Sequence, residues 1–230
     1  MVGFPQEAAK FQMRHLAEVY VSRQGNYLEQ GPLWSSRRWR DVVASEAGFP
    51  RRLTRDYIFS RVSILNNFVD AEQVFVASMV WGYGNVGYGP YRVRQMVSSA
   101  ELRLGDWVLE VAEAAKAGDH CAYEHIMSHR LSHLGPSYSS KLAYFLTPGE
   151  RSPILDSVVA AWVERHEGGE LFNADRWSVT QMCHYQEYVQ LLLDEVADLL
   201  PVEHRTRGLV EHLMFVDQSV LDLPSWVKSV

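Results

Sequence analysis

Between Asp175 and Pro201 the chain reads RWSVTQMCHYQEYVQLLLDEVADLL, without one glycine or proline. A run of that length and composition is committed to a helix, which Asp175 is placed to cap and Pro201 to close. The same punctuation recurs along the chain, while the apolar–polar alternation of strands is scarce. Ala71 to Trp81 (AEQVFVASMVW) reads as a buried helix that stops at WGYGNVGYGP, because Gly82, Gly84, Gly87 and Gly89 cannot all sit in a helix. Tyr91 to Ser99 resumes a helical pattern, and Asp106 is placed to cap WVLEVAEAAKAG, which Gly118 ends. His120 to Leu134 reads as a further helix, stopped by Gly135-Pro136. In Ser137 to Leu146 (SYSSKLAYFL), Leu142, Phe145 and Leu146 share one face. After the loop TPGERSP, Asp156 opens the helix SVVAAWVERH, and a last helix is expected from about Thr206 to Val216. The expectation is an all-α fold, with a basic helical extension over residues 1–70 and one compact helical domain over residues 71–230.

Composition narrows the function. Of the 230 residues, 47% are hydrophobic and 22% charged, which excludes a disordered or fibrous chain. No uncharged apolar run approaches the ~18 residues of a membrane span. MVGFPQEAAKFQMRH lacks the basic-then-apolar order of a secretory signal, so a cytoplasmic protein is expected. Cys121 and Cys183 form no CxxC pair and read as two buried thiols. The net charge of −6 is unevenly spread. Arg37, Arg38, Arg40, Arg51, Arg52, Arg55 and Arg61 crowd one stretch against Asp41, Glu46 and Asp56, whereas from Glu101 onwards 20 acids face 10 lysines and arginines. A polyanion would be met by the first half; a solvated helix surface explains the block equally well.

Lys141 is the only lysine between Lys116 and Lys228 and lies in the first turns of a helix behind the Gly-Pro break. An amine must be neutral to attack carbon, and desolvation together with the positive end of a helix favours that form. Asp156 follows 15 residues later. Spacing alone favours the simpler reading, Asp156 as an N-cap and Lys141 as a lysine snorkelling from a core helix. His125, His129 and His133, with His120 and Glu124 before them, fall at i, i+4 and i+8. Positions i and i+8 are too far apart to share one ion and no HExxH is present, so no metal is expected.

The order Gly-Pro-x-Tyr-x-x-Lys-Leu-x-Tyr-Phe, a short loop, then Ile-Leu-Asp-x-x-Val-Ala resembles the core of the helix-hairpin-helix DNA glycosylases, and most of all bacterial proteins with the 8-oxoguanine DNA glycosylase fold. WGYGNVGYGPYRVRQM is similar to that group's Trp-Gly-x-Gly…Gly-Tyr-Gly-Pro-x-Arg segment, and RWSVTQMCHYQEYVQLLLDEVADLL and VEHLMF resemble its C-terminal helices. The likeness runs from about Val74 to Phe215. Where the family hairpin has Leu-Pro-Gly-x-Gly, this chain has Leu-Gly-Pro-Ser-Tyr.

The resemblance implies an enzyme that excises an oxidised or modified base, such as 8-oxoguanine, from double-stranded DNA and then opens the abasic sugar as an AP lyase. It assigns Lys141 the Schiff-base nucleophile and Asp156 the carboxylate that stabilises the sugar cation. Trp81, Tyr83, Asn85 and Tyr88 are expected to line the base pocket, with Phe145 against the extruded base. Gly135, Ser137, Ser139 and Ser140 at the helix start, with Arg92, Arg51 and Arg52, are expected at DNA phosphates. No cofactor is implied, and the setting is the bacterial nucleoid. Three alternatives remain open: a DNA-binding protein of the same fold without catalysis, a defence glycosylase acting on modified phage DNA, and, from the histidine spacing, a metal-dependent hydrolase.

Overall fold

The computed structural model describes residues 5–42, 48–100 and 103–222. Glu46, part of the arginine-rich stretch, lies outside them. The described residues form α1 (Glu7–Ser22), α2 (Ser36–Trp39), α3 (Arg55–Ser63), α4 (Phe68–Tyr83), α5 (Gly89–Ser98), α6 (Leu104–Ala117), α7 (Cys121–Ser128), α8 (Pro136–Leu146), α9 (Ser157–Glu167), α10 (Val179–Val196) and α11 (Arg207–Asp222). Among them there is no strand; Leu33 and Arg52 make an isolated antiparallel bridge. The protein is all-α, as its sequence implies.

The chain divides into two compact units, and the division differs from the boundary expected at residue 70. One unit runs from Asn26 to Pro148; the other joins the residues up to Gly25 with those from Gly149 on. The reason lies in α1. Its apolar stripe Ala9, Met13, Ala17 and Tyr20 is buried, and α1 packs against α9, α10 and α11. Glu167 accepts from the Gln6 backbone N–H, while Arg14 donates to the Glu195 carbonyl at 2.7 Å. The N-terminal helix is thus a core element of the C-terminal unit, not an extension.

In the Asn26–Pro148 unit, α4 is the central element. Asn67 caps it through Oδ1, which accepts from the N–H groups of Val69 and Asp70. Residues Val74 to Val80 of α4 are all buried, and α3, α5, α6 and α8 pack around it. Over this stretch the helix is apolar nearly all round because it has no solvent face there, whereas Phe68, Val69 and Glu72 in its first turns are exposed.

Several helix ends differ from the periodicity. Asp106 lies inside the first turn of α6 and pairs with Arg103 at 3.0 Å. Ser178, not Asp175, caps α10, its Oγ accepting from Gln181 N–H at 3.1 Å. The helix expected over His120 to Leu134 stops at Ser128. There Trp107 Nε1 donates to the His129 carbonyl at 2.8 Å, and His133 takes a left-handed φ of 68°. A tertiary hydrogen bond and a turn, neither visible in periodicity, end α7 early.

Candidate active site

α7 and α8 pack together across the turn that carries His133. Gly135 is the N-cap of α8, and its carbonyl accepts from Tyr138 and Ser139 N–H at 3.1 and 3.0 Å. Pro136 occupies the first helical position, where its missing N–H costs nothing. Lys141, in the second turn, is 7% exposed. Its Nζ donates to Ser137 Oγ at 3.3 Å and stands 5.4 Å from the centroid of the Tyr138 ring. The stem of Lys141 runs beside Gly82 of α4. A Cβ at position 82 would stand 3.0 Å from Lys141 Cδ and 2.9 Å from the Tyr138 ring. Only a glycine lets α4 and α8 approach closely enough to clamp the lysine in this way.

From Lys141 a line of rings leads outwards. Tyr138 stacks on Tyr83 with centroids 3.9 Å apart, and Tyr83 meets Tyr88 edge-on at 5.8 Å. Burial pushes the Tyr83 hydroxyl above its ordinary pKa, partly offset by the nearby Arg92 guanidinium. Gly84 then turns the chain with a φ of 52°, in the left-handed region that glycine adopts without strain. Trp39 Nε1 donates to the Gly84 carbonyl at 3.1 Å and Arg38 to the Asn85 carbonyl at 2.8 Å. The tip from Asn85 to Tyr88 is exposed on this fixed base, with Tyr88 at 57%.

Asp156 belongs to the other unit. It is the N-cap of α9, its Oδ1 accepting from Val158 and Val159 N–H at 3.1 Å each, and it is 8% exposed. The chain leading to it is held from α10 and α11. Tyr185 donates its hydroxyl to the Ile154 carbonyl at 2.8 Å, and burial keeps that hydroxyl well above the usual tyrosine pKa, so it stays a donor. Gln186 donates to Ser152 Oγ at 3.3 Å, and Arg207 to the Arg151 carbonyl at 2.7 Å. Tyr185, Gln186 and Arg207 escaped the sequence reading. Gln186 alone leaves a signal, an amide on the buried face of α10 that also carries Met182, Val189 and Leu193.

The family model described as "Putative 8-oxoguanine DNA glycosylase OGG-like protein" matches residues 25–215. The chain belongs to this OGG-like family. No curated protein and no solved structure matches it. The OGG-like match starts well before Val74, where the sequence likeness was expected to begin, and so takes in α2, α3 and the arginine-rich stretch. Lys141 and Asp156 both lie within it.

The remaining expected site residues of this OGG-like protein fall into two groups. Asn85, Tyr88, Arg51, Arg52 and Arg92 are exposed; Gly135, Ser137 and Trp81 are half-buried. Arg52 also donates to the Gly31 carbonyl at 2.9 Å, and Arg92 lies 5.8 Å from the Tyr88 ring centroid. Others are corrected by burial. Ser139 and Ser140 are buried, with hydroxyls donated to the Gly135 and Ser137 carbonyls, so those hydroxyls do not face a phosphate. Tyr83 and Phe145 are core rings; Phe145 sits among Phe59, Trp81 and Tyr144 at 5.0–5.4 Å. Phe145 therefore has no exposed face for an extruded base. Arg55 leaves the basic surface altogether: it is 3% exposed, with its guanidinium 4.6 Å from the Trp81 ring centroid and within 6 Å of the Tyr27 and Tyr144 centroids. The histidine ladder is broken, because His129 caps the end of α7 and His133 lies beyond it. No helix among the described residues is long and apolar enough to cross a membrane.

Proposed function

We propose that this OGG-like protein is a DNA glycosylase with AP-lyase activity, acting on double-stranded DNA that carries an oxidised or modified base such as 8-oxoguanine. The observation that carries the reading is the setting of Lys141. Within the family match, a single lysine has its stem packed at Gly82 and its amine held on Ser137 near the start of α8. Immobilising the amine before substrate arrives removes much of the entropy cost of attack.

In this reading the Lys141 amine attacks the anomeric carbon. The new C–N bond forms as the glycosidic bond breaks, and the base departs with the bonding electrons and a proton. The sugar ring then opens to a Schiff base. Loss of a C2′ proton expels the 3′ phosphate, and water finally releases the lysine. Asp156 supplies the negative charge that stabilises the sugar cation as the base leaves. Trp81, Asn85 and Tyr88 face the nucleotide, while Tyr83 and Phe145 stand behind them as packing. Ser137 and the Gly135 turn, with Arg51, Arg52 and Arg92, meet the phosphates. This chemistry draws on no metal.

Borohydride trapping tests the reading, because it reduces the transient Schiff base to a stable amine. Incubated with an 8-oxoguanine duplex and a panel of other lesions, the protein is expected to be captured on at least one. Lys141→Gln should abolish capture and strand cleavage while leaving duplex binding intact. Capture of Lys141→Gln at the wild-type level would move the nucleophile elsewhere. Binding by the wild-type protein without capture or excision on any lesion would make it a non-catalytic DNA-binding protein.

A further inference from the structure

At the start of α7, among residues that the proposed excision chemistry does not use, three metal-ligating side chains converge. The ligand atoms of His120, Cys121 and Glu124 all lie within 4.8 Å of one another. We propose that His120, Cys121 and Glu124 form a binding site for a borderline-soft divalent cation, zinc by the chemistry of its donors. A thiolate, an imidazole and a carboxylate make a three-ligand set of the kind zinc accepts, with water completing a tetrahedron.

Two observations support the site beyond proximity. First, none of the three side chains makes a hydrogen bond or ion pair with the described residues. His120 is the N-cap of α7 without using its ring to cap, and Cys121 is a free thiol. His120 and Cys121 are half-buried, as is Cys183, so neither cysteine is the buried thiol that the sequence suggests. Second, the thiol has a place made for it: a Cβ on Gly118 would come within 3.1 Å of Cys121 Sγ. A thiolate and a carboxylate together would bring two negative charges to the ion.

This set is not the histidine ladder of the sequence. His125 lies beside Glu110 at 3.5 Å and its ring against that of His129 at 4.6 Å, so both are engaged elsewhere. Cys121 is the ligand that periodicity did not bring forward. Bound there, the ion ties the Gly118–His120 turn to the first turn of α7, and Cys121 releases its proton to solvent on binding.

Cobalt titration of the chelator-treated, tag-free protein tests the site without reference to DNA. Co²⁺ is expected to produce tetrahedral visible bands and a near-ultraviolet thiolate charge-transfer band, saturating at one equivalent and displaced by Zn²⁺. Cys121→Ser should remove the charge-transfer band. His120→Ala and Glu124→Gln should each weaken Zn²⁺ binding by at least ~10-fold, since a direct ligand cannot matter less than an outer-shell partner. Cys183→Ser should leave the spectrum unchanged. Absence of a saturable signal at millimolar Co²⁺ overturns the proposal. So does a charge-transfer band that survives Cys121→Ser or disappears in Cys183→Ser.

Discussion

Asp156 carries two duties, and substitution separates them. Its Oδ1 caps α9, and its charge is what the proposed excision step uses. Asp156→Asn keeps an acceptor for the Val158 and Val159 N–H groups, so the fold should persist with a nearly unchanged melting temperature. Base excision, measured by single-turnover release, should fall about 10²–10⁴-fold, the contribution of one electrostatic or acid–base group. Asp156→Ala should add a stability loss of about 0.5–2 kcal/mol from the missing cap, read by denaturant unfolding. Equal excision by wild type and Asp156→Asn would leave Asp156 as a cap alone. Tyr185, which holds the approach to Asp156, gives a complementary test. Tyr185→Phe leaves the buried Ile154 carbonyl without that donor and should cost about 1–3 kcal/mol in unfolding free energy.

Among the elements, the packing of α4 on α8 decides where Lys141 stands. Gly82→Ala places a Cβ 2.9 Å from the Tyr138 ring and 3.0 Å from Lys141 Cδ, and both side chains are themselves packed. Overpacking of this kind costs about 1–3 kcal/mol. The expected outcome is a lowered melting temperature and borohydride capture reduced more than DNA binding, because the amine is displaced while the phosphate-facing surface is not. A variant captured as fast as wild type would show that the clamp on the lysine stem is dispensable. The loop after α4 belongs to the same element pair. Trp39 and Arg38 fix its backbone, so Tyr88 is presented on a rigid base.

For the molecule as a whole, the charge distribution sets how DNA would be met. Arg51, Arg52 and Arg92 are exposed, whereas Arg55 is enclosed by aromatic rings and Arg61 is paired with Asp70 at 3.3 Å. Neutralising Arg51, Arg52 and Arg92 together should weaken duplex binding and flatten its salt dependence, by about 0.9 in log–log slope for each phosphate that no longer meets a cation. An unchanged slope would place the phosphate surface elsewhere. Arg55→Ala should act on stability instead, since its guanidinium packs on the Trp81 face in the interior.

Local decisions were made by the order of the residues. Uninterrupted apolar periodicity made α4, α8 and α10 helices, Asp156 capped α9 as an Asp before an apolar run must, and Gly84 broke α4 where a left-handed residue was needed. Each depends on neighbours a few residues away, which is the range over which pattern and propensity act. The motif order around Lys141 and Asp156 was legible for the same reason. Tertiary structure decided what no local pattern encodes. It placed α1 with the C-terminal helices, because only burial of the Ala9–Tyr20 stripe fixes a partner for an amphipathic helix. It ended α7 at Ser128 through a hydrogen bond from Trp107, 22 residues away. It took Arg55, Ser139, Ser140 and Phe145 out of the candidate surface, since a side chain's exposure depends on which other helix covers it. Burial is a property of packing between distant segments, and one-dimensional spacing carries no record of it.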